Sequence, residues 1–390
     1  MQGSSVDSEQ SRFEWRVGDP GDPALLLEDF LAGEGLAVRD LGALKNAALE
    51  NDHGVIQVTP ATQPHAALLV SAAAGAAMVG APTGPPSPAP EVPDVVALVR
   101  HAPEPLAPPV PVPDRSLWVG AWRPSWTSEQ HAGAVAAVRA AIGRGDVYQV
   151  NVVGHQSAPY SGYPARALAR VAALPGAVYG AQLAGDGWAV ATGSPECLVT
   201  VVGGEVVTRP IKGTRPRDER GRAELYASAK ERAEHVMIVD LERNDLARVA
   251  RTGSVRVDEL YALRPWCDLW QAESTVRAAL RPGVGLAELL RAVLPGGSVT
   301  GAPKLAALEV IAGLEPVGRG PAMGALGYLT CGGLDLGLTI RTVAATRDRL
   351  HLWAGGGITW GSDPLAEVAE AAAKANPVKR AVAARASRGA

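Results

Sequence analysis

Lysine is scarce in this chain, since only six of its 37 basic residues are lysines and the rest are arginines. Cysteine is scarcer still: Cys197, Cys267 and Cys331 lie far apart and show no paired spacing. This separation argues against a disulfide framework and against a zinc knuckle, and it fits a reducing cytoplasm. Because lysines are so few, each one carries more information about function than usual.

The chain also lacks a run of basic residues and a long uninterrupted apolar segment. Its net charge of −3 gives no support for a nucleic-acid-binding surface. The longest apolar run, residues 66–81, is interrupted by Ser71, Gly75 and Gly80 and is too short to span a membrane. The polar first residues, MQGSSVDSEQSRFEWR, contain no hydrophobic signal region. We therefore expect a cytoplasmic protein with no nucleic-acid partner and no membrane partner.

What the chain does contain is typical of a globular enzyme, with 47% hydrophobic and 20% charged residues over 390 positions. Prolines crowd residues 82–113, in PTGPPSPAP and PEPLAPPVPVP, and such a stretch is not expected inside a sheet. We predict an N-terminal region at residues 1–117 that contains this linker, and a catalytic core at residues 118–390. Within the N-terminal region we expect a helix at residues 23–31 and strands at residues 55–58 and 67–70.

Residues 194–214, SPECLVTVVGGEVVTRPIKGT, predict a β-hairpin, because two apolar strand patterns flank Gly203-Gly204. Glu196 precedes the first strand and Lys212 follows the second, so both are expected at the same open end. A carboxylic acid and an amine facing one pocket could donate a proton and act as a nucleophile. The alternative is a solvated lysine in a weak surface ion pair. The neighbours of Lys212 in PIKGT favour a tight, buried turn.

A capping box at Thr127 and Gln130 predicts the start of a helix that ends near Gly145. The following strand, in GDVYQVNVV, places Gln149 and Asn151 on one face. These two side chains could line a pocket, although a half-exposed strand explains them equally well.

Three later segments carry further candidate residues. A predicted helix at residues 223–239 contains Glu234, which is either a surface charge or a metal ligand. The glycine-rich segment LPGGSVTGAPK precedes a helix and could bind a carboxylate through backbone N–H groups and the hydroxyls of Ser298 and Thr300. Residues 338–342 predict a strand in which Arg341 is suited to a substrate carboxylate.

The C-terminal part begins with a run of three glycines, Gly355, Gly356 and Gly357, where a backbone can approach a ligand closely. A helix follows, with Glu367, Glu370 and Lys374 on one face. The two carboxylates could hold Mg²⁺ together with water molecules, or they could form a solvated edge beside Lys374.

In this order, these segments resemble the chorismate-utilising enzymes: GDVYQVN, SPECL, TRPIKGTRPR, RAEHVMIVDLERNDLARVA, PGGSVTGAPK, GALGYL, TIRT, AGGGI and SDPLAEVAEAAAKA. That family includes anthranilate synthase component I, aminodeoxychorismate synthase component I, isochorismate synthase and salicylate synthase. The resemblance covers roughly residues 125–381. It implies an α/β (α+β) chorismate-binding fold, a large β-sheet sandwich flanked by helices.

Two positions divide the reactions within this family. Isochorismate and salicylate synthases carry a lysine base where this chain has Gln149, and anthranilate synthases generally read PIAGT where this chain reads PIKGT. Lys212 is therefore similar to the nucleophilic lysine of aminodeoxychorismate synthases. The resemblance implies that Lys212 attacks chorismate at C2 while Glu196, as general acid, protonates the departing C4 hydroxyl. Ammonia then displaces Lys212 to give 4-amino-4-deoxychorismate, for p-aminobenzoate and folate or for a specialised p-aminophenyl metabolite such as an antibiotic.

The resemblance also implies a bound Mg²⁺, held by Glu234 and Glu367 with Glu370 as a further candidate ligand. Arg341 and the backbone of Gly355, Gly356 and Gly357 are expected to hold the enolpyruvyl carboxylate. We also expect Thr214, Ser298, Lys374 and Gln149 to contact the substrate, and Arg209 and Arg215 to make the amine of Lys212 less basic.

A source of ammonia is expected outside this sequence. None of the three cysteines sits in a glycine-flanked nucleophile turn, so ammonia should come from solution or from a separate glutamine amidotransferase subunit.

The chain departs from the family pattern at three places. Gln271 stands where relatives often have a His that, in anthranilate synthases, is linked to pyruvate elimination, which favours a product that keeps the enolpyruvyl group. Ala322 replaces an aromatic residue expected near the enolpyruvyl arm. The N-terminal region is short and interrupted by prolines, so no tryptophan-binding site is inferred, and Asp29 stands where a Ser is often found. The alternatives are anthranilate synthase component I and a catalytically idle chorismate-binding protein, which only Gln271 and Ala322 support.

Overall fold

The structure is a computed structural model that describes residues 10–44, 48–50, 56–58, 64–101 and 117–384, with the side chains of 48–50 and 56–58 left aside. Residues 1–9, on which part of the secretory-signal expectation rests, lie outside this range. Within it, no helix is both long and apolar enough to cross a membrane.

The described part contains twenty strands. In chain order they are β1 (Gln10–Trp15), β2 (Ala48–Glu50), β3 (Ile56–Val58), β4 (His65–Val70), β5 (Val95–Arg100), β6 (Trp118–Val119), β7 (Arg123–Pro124), β8 (Gln149–Ser161), β9 (Tyr179–Gly185), β10 (Trp188–Ser194), β11 (Cys197–Val202), β12 (Glu205–Arg209), β13 (Ile211–Pro216), β14 (Arg256–Trp266), β15 (Leu269–Ala279), β16 (Gly301–Ala302), β17 (Ala325–Thr330), β18 (Gly333–Leu338), β19 (Thr342–Ala345) and β20 (Arg349–Ile358).

Nine α-helices accompany these strands in the described residues. They are α1 (Pro23–Gly33), α2 (Ala72–Met78), α3 (Ser128–Arg144), α4 (Ala165–Ala172), α5 (Glu219–Ala227), α6 (Ala229–Ala247), α7 (Leu286–Val293), α8 (Lys304–Leu314) and α9 (Pro364–Ala383). Short 3₁₀ turns lie at Leu41–Ala43 and Gly297–Val299.

Two large antiparallel sheets form the body of the molecule. The first has ten strands in the order β1-β5-β4-β17-β18-β11-β12-β15-β13, with β14 beside β15, and the second has eight, in the order β16-β8-β20-β19-β10-β9 with β6 and β7 beside β8. One hydrophobic core contains residues of both sheets, such as Val199 and Leu336 of the first and Val190 and Trp353 of the second. Helices flank the sheets. The predicted α/β class with large sheets is therefore confirmed.

Several local predictions are confirmed. Strands β11 and β12 form the predicted hairpin, with Val202 opposite Glu205 around the glycine pair. Both hydrogen bonds of the capping box at Thr127 and Gln130 are present, and α3 ends at Gly145 in the left-handed conformation. The predicted strand at residues 55–58 corresponds to β3, except for residue 55, which lies outside the described part.

The prediction that residues 82–113 stay out of the sheet is wrong for β5. This strand lies between β1 and β4 and pairs with both, because Val95–Arg100 contains no proline and can bond on both edges. Residues 102–116 lie outside the described part. Since β4 also pairs with β17, the N-terminal strands share one sheet with the core. The boundary at residue 117 stays a prediction.

Three predicted elements have different boundaries. The helix predicted at residues 223–239 is divided into α5 and α6 by Ser228, whose side chain accepts a hydrogen bond from the Glu231 N–H. Lys212 lies in strand β13 rather than in a tight turn, next to an irregularity at Gly213. Arg341 lies in a break between β18 and β19 with φ of 54°, so the strand predicted at residues 338–342 is wrong.

Candidate active site

A cavity lies where both sheets meet α6 and α9. The first sheet contributes β13 and the segments beside Glu196 and Arg341, and the second contributes β20 and Asn151 of β8. Most predicted site residues line this cavity, whereas Gln149 and Thr300 do not; those that line it are Glu196, Lys212, Thr214, Glu234, Ser298, Arg341, Gly355, Gly356, Gly357, Glu367, Glu370 and Lys374. The fold thus brings together residues that are far apart in the sequence. Their individual chemical roles stay predictions.

Glu196 and Lys212 lie at the same end of the β11–β12 hairpin. The Glu196 carboxylate accepts a hydrogen bond from the Ile211 N–H at 3.3 Å. Nζ of Lys212 donates to the Ser298 carbonyl at 2.7 Å. The strand β13 continues directly from the hairpin, so the acid and the amine are held by neighbouring backbone segments rather than by flexible loops.

Burial changes the acidity of both groups in opposite directions. It raises the pKa of the Glu196 carboxyl, and a hydrogen bond with Ser298 and the charge of Lys212 offset part of this rise. It lowers the pKa of the Lys212 amine, against the opposing charge of Glu196 and with the help of Lys374. The cation that lowers the pKa of Lys212 is Lys374, rather than the predicted Arg209 and Arg215. The protonated form of Glu196 and the neutral form of Lys212 are therefore both easier to populate near neutral pH than the same forms of free side chains.

Glu234 of α6 and Glu367 of α9 face the cavity from opposite helices. Glu234 accepts a hydrogen bond from the Thr359 hydroxyl at 2.7 Å, and Lys230 lies 3.7 Å away. Burial raises the pKa of both carboxyls. Glu370 differs from them, because an ion pair with Lys374 at 2.7 Å lowers its pKa.

Glu234, Glu367 and Glu370 are the candidate ligands of a magnesium ion. In the described ranges, no group of three or more His, Cys, Asp and Glu side chains is arranged to hold a metal ion. Mg²⁺, however, usually binds one or two carboxylates and completes its shell with water and substrate oxygens. Glu234 and Glu367 are half-buried acids that face one cavity, and burial is the main cause that raises the pKa of both carboxyls. This pair fits Mg²⁺.

Arg341 is part of the cavity wall. Its guanidinium is buried and lies 4.4 Å from the centre of the Trp266 ring, and burial lowers its pKa to about 10. Its Nε finds no hydrogen-bond partner among the described residues. A buried cation with an unused donor is suited to an anionic ligand.

The glycine run lies inside strand β20, and two of its members are close to charged side chains. A Cβ at Gly356 would lie 3.2 Å from Glu367 Oε2 and 3.4 Å from Lys374 Nζ. A Cβ at Gly357 would lie 2.5 Å from the Gln149 amide and 3.4 Å from Lys212 Nζ. Gln149 is thus behind Gly357, beside Lys212, and its buried amide has no partner in the described part of the chain.

The carboxylate-binding segment predicted around Ser298 and Thr300 is only partly present. Ser298 lines the cavity, but the Thr300 hydroxyl donates to the Gly296 carbonyl at 2.8 Å and is fully buried. Helix α8 begins at Lys304, whose ammonium group forms an ion pair with Asp245 at 2.6 Å. Thr300 therefore stabilises the turn instead of facing a ligand.

The sequence did not reveal several residues of the cavity wall. Lys230 and Glu231 precede Glu234 on α6, and a helical spacing of three to four residues could have indicated them. Met323 and Trp353 carry no such signal, because the fold alone brings them to the cavity. Of the departures from the family pattern, Gln271 faces the cavity, whereas Ala322 is fully buried outside its wall.

The α/β fold encloses a cavity in which acidic and basic side chains lie together with the buried guanidinium of Arg341. The family model described as chorismate binding enzyme matches residues 69–380, and the chain belongs to this family.

Relatives with two different activities are similarly close. The chain is 40% identical over 275 residues to aminodeoxychorismate synthase component 1 of Klebsiella aerogenes, covering 69% of this chain and 61% of that protein. It is also 40% identical over 269 residues to anthranilate synthase component 1 of Streptomyces coelicolor, covering 67% and 53%. The match spans about three fifths of the length of the first of these relatives.

Solved structures agree with the fold. The crystal structure of anthranilate synthase component I from Streptococcus pneumoniae superposes with a TM-score of 0.77 at 24% identity, covering 97% of this chain and 94% of that one. At this identity the likeness concerns the fold alone.

Proposed function

We propose that this protein is the synthase component of an aminodeoxychorismate synthase, which converts chorismate and ammonia to 4-amino-4-deoxychorismate. The observation that carries the proposal is the Lys212 amine, which lies inside the cavity beside the buried acid Glu196. The similarity to three bacterial proteins named aminodeoxychorismate synthase component 1, at 40 to 41% identity, supports it.

The reaction uses the two groups in turn. The lone pair of neutral Lys212 forms a bond to C2 of the ring, both ring double bonds shift by one position toward C4, and the C4–O bond breaks. Glu196 gives its proton to the leaving hydroxyl, which departs as water. Ammonia then forms a bond to C4 while both double bonds shift back and the C2–N bond to Lys212 breaks, and the surplus proton of the new ammonium group returns to Glu196. The balance is one chorismate and one ammonia consumed, and one aminodeoxychorismate and one water formed.

The remaining side chains orient the substrate. Arg341 and the backbone of Gly355, Gly356 and Gly357 hold the enolpyruvyl carboxylate, and Lys374 keeps the Gly355 carbonyl in place through a hydrogen bond of 3.1 Å. Glu234 and Glu367 are proposed to hold Mg²⁺, with Glu370 as a further ligand. When bound, the ion compensates the charge of the ring carboxylate and acts as a Lewis acid.

Ammonia is proposed to come from a separate glutamine amidotransferase subunit. The relatives are named as component 1 of their enzymes, which supports a second component. The product would serve p-aminobenzoate and folate synthesis or a specialised p-aminophenyl metabolite such as an antibiotic.

The test is a product assay with purified protein, chorismate, Mg²⁺ and a high ammonium concentration at mildly alkaline pH. We expect a non-aromatic amino product, identified by mass, that an added lyase converts to p-aminobenzoate. Lys212→Ala should abolish it, whereas Lys379→Ala, at a lysine outside the cavity wall, should not. Retention of the product in Lys212→Ala would overturn the role of this lysine.

Anthranilate synthase is the second candidate, because relatives with that name match almost as well. It predicts anthranilate and pyruvate in the same assay. An idle chorismate-binding protein predicts binding without turnover.

A further inference from the structure

Glu315 and Arg319 form a buried ion pair behind the cavity. Arg319 donates from Nε and Nη2 to the two carboxylate oxygens of Glu315, at 2.9 and 2.6 Å. Only 5% of Glu315 and 7% of Arg319 is exposed. A buried charge pair of this kind is weak evidence for a contribution to stability, because desolvation opposes the attraction. Its contacts with the backbone are more informative.

The pair connects the 3₁₀ turn Gly297–Val299 to strand β8. Nη1 of Arg319 donates to the Val299 carbonyl at 2.6 Å, and Nη2 donates to the Asn151 carbonyl at 2.9 Å. Glu315 accepts a hydrogen bond from the Val153 N–H at 3.0 Å. Asn151 lies 168 positions before Arg319, and Val299 lies 20 positions before it. The strand and the turn are therefore about 150 residues apart in the sequence. One guanidinium therefore fixes their separation.

The turn reaches Lys212 directly. Ser298 precedes Val299, and its carbonyl accepts the 2.7 Å hydrogen bond from Nζ of Lys212. A carbonyl oxygen can only accept, so the amine must direct an N–H toward it. The lone pair of the neutral amine is then confined to the two remaining tetrahedral directions, neither of which faces the Ser298 carbonyl.

We propose that Arg319, held by Glu315, is a positioning residue that fixes the Ser298 carbonyl and thereby the direction of the Lys212 lone pair. The inference rests on the proposed role of Lys212 as nucleophile. It assigns to the pair a role in the first bond-forming step without contact to the substrate. The same guanidinium keeps the backbone of Asn151, whose side chain lines the cavity, in register with the turn.

The test compares Arg319→Lys and Glu315→Gln with Arg170→Lys. A lysine at position 319 can pair with Glu315 but cannot reproduce the fork that holds two carbonyls. Arg170 is the matched control, because it also donates to two carbonyls, of Ala381 and Val382, outside the cavity wall. Folding is checked by thermal unfolding. Two quantities are measured: steady-state kinetics, and the pH dependence of Lys212 modification by an amine reagent, located by peptide mass mapping.

For Arg319→Lys and Glu315→Gln we expect kcat to fall on the order of 10- to 100-fold, because the amine is misdirected, with little change in the KM for chorismate. The midpoint of Lys212 modification should move upward, toward that of an exposed lysine, as the turn loosens and water enters. Arg170→Lys should leave both quantities unchanged.

Folded Arg319→Lys and Glu315→Gln proteins with unchanged kcat and an unchanged modification profile would overturn the proposal. A loss of kcat without any change in the modification profile would also overturn it, because a merely structural defect gives that result. A failure of the proposed function would be seen separately, because turnover by Lys212→Ala at the wild-type rate would show that Lys212 is not the nucleophile. An altered modification profile in the Arg319 and Glu315 variants would still show that the pair holds the hydrogen bond between Lys212 and the Ser298 carbonyl.

Discussion

Glycine at position 356 leaves open the space beside two charged side chains of the cavity. A methyl group there would lie 3.2 Å from Glu367 Oε2, closer than the ordinary contact distance, although the backbone itself is extended and tolerates alanine. The residue therefore keeps volume free for a ligand rather than providing an unusual conformation.

Gly356→Ala should raise the KM for chorismate several-fold with little change in the thermal midpoint, because the methyl group narrows the cavity. Gly133→Ala is the matched control: position 133 lies in α3 with no atom within 4 Å of a new Cβ. It should stabilise the protein by about 0.5–1 kcal/mol without changing KM, by calorimetry and steady-state kinetics. Equal KM values for both variants would contradict this view of the cavity.

The opposed pKa changes of Glu196 and Lys212 predict a bell-shaped pH dependence of kcat. The reaction needs the protonated acid and the neutral amine, whose pKa values burial brings closer together. Glu196→Gln should lower kcat by about 10²–10⁴-fold and remove one limb of the profile. Glu309→Gln, at an exposed acid of α8, should match the wild type. A full bell-shaped profile in Glu196→Gln would assign the limb to another group.

At the scale of elements, the start of α6 positions three cavity residues, Lys230, Glu231 and Glu234. Ser228 ends α5 and caps α6, so Ser228→Ala should destabilise the protein by about 1 kcal/mol. Chemical denaturation measures this loss. Ser228→Asp keeps a side-chain acceptor and is expected to retain wild-type stability. Equal unfolding free energies for the alanine and aspartate variants would mean that the cap does not stabilise this junction.

Local signals predicted the elements whose causes are local. The glycine pair after Val202 and the capping box at Thr127 specify their structures through nearest neighbours, and both are present. The strand at Lys212 depends on its distant partner β15, and the Arg341 backbone accepts a hydrogen bond from the distant Gly193 N–H, so local sequence patterns could not show either feature. The same holds for β5, which becomes an interior strand only because β1 and β4 lie on both sides.

The candidate site shows the same division. Ordered motifs identified its members, but not the ion pair behind the turn at Ser298 or the wall formed by Met323 and Trp353. Those features depend on how the two sheets pack, which no single segment encodes.

At the scale of the whole molecule, a half-buried acid lies near a contact between the two sheets. Asp335 of β18 accepts a hydrogen bond from Thr200 at 2.8 Å, and Tyr179 of β9 in the other sheet packs over the nearby Gly337. Burial raises the pKa of Asp335 from 3.8 to about 7, although Thr200 and the charge of Arg209 oppose the rise. We therefore predict that the stability of this contact depends on the protonation of Asp335.

Because the folded pKa of Asp335 is raised, its contribution to stability is complete below about pH 4 and is lost as the pH rises through 7. Asp335→Asn should remove this part of the slope between pH 4 and 7. Urea unfolding at intervals across that range gives the free energy of unfolding for both proteins. Parallel curves for the variant and the wild type would contradict the assignment.

The most direct measurement for the central claim is mass spectrometry of the protein after rapid quenching with chorismate and Mg²⁺ in the absence of ammonia. The account predicts an adduct with the mass of chorismate less one water on the peptide that contains Lys212, and its disappearance when ammonium is added. Formation of the amino product by Lys212→Ala at the wild-type rate, with no adduct on the wild-type peptide, would contradict it.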